Sequence, residues 1–162
     1  MTAKDVIKQV VEFCHMVVGH YLDDLKDEDL MVRAVPGSNH LAWQLGHLIS
    51  GDCHMLATLG HTPPALPEGF EAQHTKETAS SDDASKFCAK QTYVELAGQT
   101  KAAVLAALAA TPEADLEKAA PESMRAYAAT VSAALTMLGT HWLMHAGQFV
   151  MIRRKLGRPP LF

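Results

Sequence analysis

Prolines constrain the fold of this chain more than any other feature. Pro36, Pro63, Pro64, Pro67, Pro112, Pro121 and Pro159 cut it into four long stretches that carry none. A proline inside an α-helix removes a backbone donor and clashes with the preceding turn, at a cost of about 3 kcal/mol. Long helices are therefore confined to the stretches in between. The first predicts a helix from Ala3 to Leu25: Thr2 and Asp5 form a capping-box-like pair, and Val6, Val10, Phe13, Val17 and Tyr21 recur at helical spacing. Ser38 or Asn39 can cap a second helix that extends to about Leu59, with Gly60 as its stop. A third fits from about Ser85 to Ala110, with Val94, Ala97, Val104 and Leu108 on one face. The fourth starts between Ser123 and Thr130 and reaches Leu156, where Gly157 and Pro159 end it.

Alanine, leucine and methionine are plentiful and β-branched or aromatic runs are scarce, which favours helix throughout. The expected fold is all-α, a four-helix bundle in one domain spanning residues 1–162. Residues 61–81 are too rich in proline and glycine to be helical. That long crossover lets helices two and three run parallel, an up-down-down-up order.

Along the fourth helix the inward stripe reads Val131, Ala134, Leu138, His141, His145, Gln148, Ile152, so three consecutive core positions are polar. Burying an unpaired polar group costs roughly 1–3 kcal/mol, and something must satisfy these three. His141 and His145 lie one turn apart, about 6 Å along the axis, and project from one face. Two neutral imidazoles so placed can share a metal ion. A buried hydrogen-bond network is the competing explanation, in which Gln148 satisfies a core neighbour rather than orienting a ligand.

Third ligands are available on the second helix. His40, His47, His54 and His61 recur every seven residues and form a row, of which one normally reaches a site at a given height. His40 at the helix start and His61 beyond Gly60 are expected to be solvated. His47, between Leu45 and Leu48, is the best candidate, with His54 in reserve. His15, His20 and His74 read as surface or partly buried residues. Other metal architectures are excluded. A zincin helix needs HExxH, but Trp142 stands where the glutamate belongs. Di-iron bundles need carboxylates from every helix, and the fourth has none.

The net charge is −4, and all 18 acids lie at or before Glu122. Arg153, Arg154, Lys155 and Arg158 follow near the chain end, as a helix dipole favours at a C-terminus; Arg153 and Arg154 are also candidates to attract an anionic thiol. A sequence pI near 6.1 without a basic stripe argues against nucleic acid. There is no membrane-length apolar run and no signal-peptide core, so a cytoplasmic location is expected, with no membrane partner. Cys14, Cys53 and Cys88 show no CxxC spacing and read as reduced thiols.

Two segments resemble a known family. Asn39-His40-Leu41-Ala42-Trp43-Gln44-Leu45-Gly46-His47-Leu48-Ile49 is similar to the second-helix motif of the DinB-like superfamily, which includes damage-inducible DinB proteins and bacillithiol or mycothiol transferases. Thr140-His141-Trp142-Leu143-Met144-His145-Ala146-Gly147-Gln148 resembles its fourth-helix motif, and the order and the crossover agree. The resemblance implies an up-down-down-up bundle, often a homodimer, in which His47, His141 and His145 bind a divalent metal. In many relatives an acid follows the second-helix histidine by five residues. Asp52 occupies that place here, with a shorter side chain, and its ordinary reading is a solvated helix residue.

Three histidines around zinc or nickel leave a position open. The expected function is a metal-dependent enzyme acting on a small-molecule substrate. A thiol S-transferase using a low-molecular-weight thiol is favoured, and a hydrolase using metal-activated water comes next. The alternative is a non-catalytic bundle whose metal only ties helices two and four together, or whose site stays empty.

Overall fold

A computed structural model of the chain describes residues 1–159 and 161; Phe162, where the expected domain ends, lies outside them. Four helices carry the fold: α1 (Ala3–Leu22), α2 (Leu41–Thr58), α3 (Lys90–Ala110) and α4 (Val131–Lys155), with no β-strand among the described residues.

Local chemistry sets most of the helix ends. Thr2 Oγ1 accepts from the Asp5 N–H (3.2 Å), while Asp5 Oδ2 accepts from the Thr2 N–H (2.8 Å), closing the capping box of α1. Thr130 caps α4 by accepting from the Ala133 N–H. Three ends differ from expectation: α1 stops at Leu22 rather than Leu25, and the starts of α2 and α3 differ. Neither Ser38 nor Asn39 caps α2; His40 does, its Nδ1 accepting from the Trp43 N–H at 3.1 Å. The helix expected from Ser85 is a single turn, Ala84–Lys86, followed by extended Phe87. The regular helix α3 begins only at Lys90, whose N–H donates to Asp27 Oδ1 at 2.6 Å. That cap comes from the loop after α1, 63 residues away, so no local pattern announces it.

Contacts between helices give their directions. Val11 meets Gly139, the His15 ring lies on Trp142 (centroids 4.4 Å apart), and Arg153 Nη1 donates to the Tyr21 carbonyl (2.9 Å). Residue numbers rise together, so α1 and α4 are parallel. A Cβ at Gly139 would come within 2.9 Å of the Val11 Cα, so glycine is what lets the two backbones close. Gln44 bonds His145 and Asp52 bonds Trp142, so α2 runs antiparallel to α4. Lys4 Nζ reaches the Ala109 carbonyl (3.0 Å) and Lys90 Nζ reaches that of Leu25 (2.7 Å), so α3 opposes α1. The order is up-down-down-up.

The crossover climbs back along the outside of α2. The His74 ring seats directly over Gly46, where a Cβ would lie only 2.1 Å from it. Trp43 Nε1 donates to the Thr75 carbonyl at 2.8 Å, and His40 Nε2 to that of Ser81 at 3.1 Å. Arg33 clamps the top by donating to the carbonyls of Ser38, Ala79 and Ser81. His74 is itself fixed at both ends: Nδ1 donates to the Phe70 carbonyl (2.7 Å), and Nε2 accepts from the Tyr93 hydroxyl (2.8 Å). His40, expected to be solvated, and His74, expected to be at most partly buried, are both buried, because their ring nitrogens satisfy the backbone of a segment that must pack without regular structure.

The buried face of α1 is Ile7, Val11, Cys14, Val17, Val18, Tyr21 and Leu22. Val6 and Phe13, expected inward, are about half exposed (46% and 54%). On α3 Val94 is likewise exposed, and Tyr93 and Leu96 take its place in the core. Both helices carry apolar residues on two faces, so spacing alone fits either.

Candidate metal centre

His47 projects from α2, and His141 and His145 from the facing side of α4. Their ring centroids lie 5.3 Å (His47–His141), 5.4 Å (His47–His145) and 5.0 Å (His141–His145) apart. One nitrogen of each ring lies within 4.8 Å of one nitrogen of each of the others. Among the described residues this is the one group of three or more His, Cys, Asp or Glu side chains so close together.

Burial pushes the pKa of His141 and His145 down to about 4, with neighbouring imidazoles adding to the effect, and it lowers that of His47. All three rings are therefore neutral near pH 7, the form that offers a lone pair. Their orientation is held by neighbours. Trp43 stacks on His47 with centroids 5.0 Å apart and planes within 5° of parallel, and its own anchor is the Thr75 carbonyl. Gln44 Oε1 lies 2.8 Å from His145 Nδ1. Gln44 Nε2 donates to the Asn39 carbonyl at 2.7 Å, which fixes the amide so that its oxygen faces the ring. An amide oxygen only accepts, so His145 Nδ1 carries the proton and Nε2 keeps its lone pair. Three neutral imidazoles, one of them held in the metal-ready tautomer, suit a divalent metal ion.

Gln44 was assigned no role by sequence, although it stands three residues before His47 on the same helical face. Gln148, placed inward by the stripe, is exposed instead, and Phe149 is the buried residue one turn after His145. Alternating steps of three and four suit either residue, and the packing against α1 selects Phe149. His54 is exposed and lies outside the triad. His15 lies against Trp142, its pKa pushed down to about 4 by burial.

Asp52 is not solvated. It is fully buried, Oδ2 accepts from Trp142 Nε1 at 2.7 Å, and Oδ1 has no hydrogen-bond partner. Burial raises its pKa well above the usual carboxylate range, against the hydrogen bond from the tryptophan, which lowers it. Trp142, at the zincin glutamate position, is thus a core residue. Arg153 is also withdrawn from any ligand: it is 2% exposed and ion-paired with Asp24. The cysteines are free, and burial raises the pKa of each, that of Cys53 to about 11, which leaves them protonated.

A cavity of about 620 Å³ opens beside the triad, lined by His47 and His141 together with Gly51, His54, Tyr127 and Thr140 and by three methionines. No aspartate, glutamate, lysine or arginine lines it. No described helix is long and apolar enough to cross a membrane.

Comparison with known proteins agrees with this architecture. A conserved protein from Enterococcus faecalis matches with a TM-score of 0.69 at 16% identity, covering 98% of this chain and 99% of that one. YfiT from Bacillus subtilis, described as a probable metal-dependent hydrolase with an unusual four-helix bundle topology, matches with a TM-score of 0.58 at 18% identity. The match covers 96% of this chain and 89% of YfiT. At these identities the likeness is one of fold. No curated protein matches the sequence. The model of the DinB superfamily matches residues 11–149, a span that contains all three histidines. This chain belongs to the DinB superfamily.

Proposed function

We propose that the chain is a divalent-metal-dependent enzyme acting on a small molecule, with His47, His141 and His145 as its metal ligands. The observation that carries this reading is the convergence of three neutral imidazoles at the wall of a cavity. A structural site is closed by four protein ligands, whereas three ligands beside open space leave room for a reactant. A zinc or nickel ion held there supplies Lewis acidity, lowering the pKa of a thiol or water at its open position.

Thiol S-transfer is the favoured reaction. A low-molecular-weight thiol loses its proton, its sulfur forms a bond to an electrophilic carbon, and the leaving group departs with its electron pair. Thiolates are strong nucleophiles without a carboxylate base, and no carboxylate lines this cavity. His54, exposed on the cavity wall, carries the released proton to solvent. Gln44 keeps the proton of His145 on Nδ1, and Trp43 holds the plane of His47. Hydrolysis is the second reading, supported by the description of YfiT.

The test uses untagged full-length protein loaded with zinc or nickel. One arm follows thioether formation from 2-mercaptoethanol and 1-chloro-2,4-dinitrobenzene; the other follows hydrolysis of p-nitrophenyl acetate. A metal-dependent rate in the first arm is expected, lost together with the metal in His47→Ala, His141→Ala and His145→Ala. A metal-dependent rate in the second arm alone selects hydrolysis. Metal-independent rates in both arms reject the enzyme, and full occupancy in His47→Ala rejects the ligand set.

A further inference from the structure

We infer that the cavity beside the three histidines binds an uncharged, apolar ligand body, and that Gly51 sets how large that body can be next to the open metal position. The inference rests on the metal-site reading above and adds to it a ligand class and a specificity residue. At about 620 Å³ the cavity falls in the range of small-molecule sites. Met55, Met137 and Met144 supply soft walls that reshape around aromatic or thioether groups, and Tyr127 adds a ring.

No aspartate, glutamate, lysine or arginine stands on those walls to offset a formal charge on the ligand body. The nearby acid, Asp52, is buried against Trp142 on another side of α2. Of the two cations expected to attract an anionic thiol, Arg153 is ion-paired with Asp24 and Arg154 does not line the cavity. An adjoining cavity of about 570 Å³ shares His54 but carries Glu71, so an anionic tail meets no countercharge there either. A charge on the ligand body, away from the metal, would give up its hydration here with no carboxylate, lysine or arginine in return.

Gly51 follows His47 by one turn of α2 and lines the same cavity. A Cβ built on it has a single neighbour within 4 Å, His141 Cε1 at 3.9 Å. Any larger side chain therefore extends into the space beside the ligand rings. Gly46, on the same helix, is glycine for a different reason, since the His74 ring fills its Cβ position.

The experiment titrates the cobalt-loaded full-length protein with benzohydroxamate, acetohydroxamate and 4-carboxybenzohydroxamate, reading affinity from the visible cobalt spectrum. A second titration uses metal-free protein and the uncharged fluorophore N-phenyl-1-naphthylamine. Benzohydroxamate is expected to bind at least tenfold more tightly than either of the other two. Gly51→Leu should abolish that preference and weaken the fluorophore at least tenfold while leaving cobalt stoichiometry unchanged. Should Gly51→Leu not fold, Met144→Ala, at an exposed wall position, should weaken benzohydroxamate about threefold and leave acetohydroxamate unaffected. Equal affinity for the three hydroxamates, or a Gly51→Leu variant that keeps the preference, overturns the inference. If cobalt does not bind but the fluorophore does, sensitively to Gly51→Leu, the cavity assignment stands and the metal reading fails. If neither binds, both fail.

Discussion

Replacing Gln44 with leucine tests the candidate metal centre without touching a ligand. Gln44 is fully buried, so no water takes over its bond to His145 Nδ1. In the metal-free protein the imidazole escapes by moving its proton to Nε2, the atom that must carry the lone pair. Metal binding then forces the proton back to a buried Nδ1 with no acceptor, at a cost of about 1–3 kcal/mol. Partners that orient metal-binding histidines are typically worth 10–100-fold in affinity, about 1.4–2.8 kcal/mol, in agreement with that range. Gln44→Leu should therefore weaken zinc binding roughly 10–100-fold, measured by competition with a chromogenic chelator. Loss of the Asn39 contact costs about 1 kcal/mol of stability with or without metal, so the metal-loaded protein, which also loses metal affinity, should lose more stability than the metal-free one. Zinc affinity unchanged within twofold, in a variant of native helicity, would show that Gln44 does not set the tautomer.

Gly46→Ala should expel the His74 ring and destabilise the protein by about 2–4 kcal/mol in urea, through two lost hydrogen bonds and a Tyr93 hydroxyl proton left without its acceptor. The penalty should vanish in a His74→Ala background, and Gly51→Ala, with only a 3.9 Å contact, should be neutral or stabilising by up to about 1 kcal/mol. Asp52→Asn should change stability by less than about 1 kcal/mol, since burial disfavours the charged carboxylate and an amide still accepts from Trp142; a larger loss, seen in the same denaturation curves, means the carboxylate is ionised. The metal-free protein should lose stability as pH falls from about 6.5 to about 4, because unfolded imidazoles take up protons in that window while buried His74 and His15 do not until about 4. His74 alone, 4% exposed, accounts for about 3 kcal/mol of that loss, so a flat stability profile over the window would refute its neutral burial. Val6, Phe13 and Met16 on α1 and Leu143 and Met151 on α4 are exposed, which supports the homodimer as a proposal; a single-chain mass by sedimentation at micromolar concentration would reject it.

Much of the site was legible in the chain. A four-residue spacing puts His141 and His145 on one helical face whatever surrounds them, and the seven-residue histidine row placed His47 on the helix opposite. Which polar neighbours serve the histidines was not legible. Gln148 satisfies the local pattern, but Gln44, 101 residues from His145, makes the bond. Asp52 shows the same gap: next to Gly51 it looks like a surface acid, and only Trp142, 90 residues on, seals it in the core.

By itself, the sequence determined the number and approximate ends of the helices, because prolines, glycines and caps act within a few residues. It also determined that His141 and His145 can share an ion, because helical spacing is local geometry, and offered His47, with His54 in reserve, as the third. The tertiary structure decided which apolar face of α1 and α3 is buried, where α3 starts, how the crossover is locked, and which residues hold the rings. Those outcomes depend on contacts between residues far apart in the chain, such as Asp27 with Lys90 and Val11 with Gly139. Burial is a property of the assembled bundle, and no local pattern records which partner will arrive.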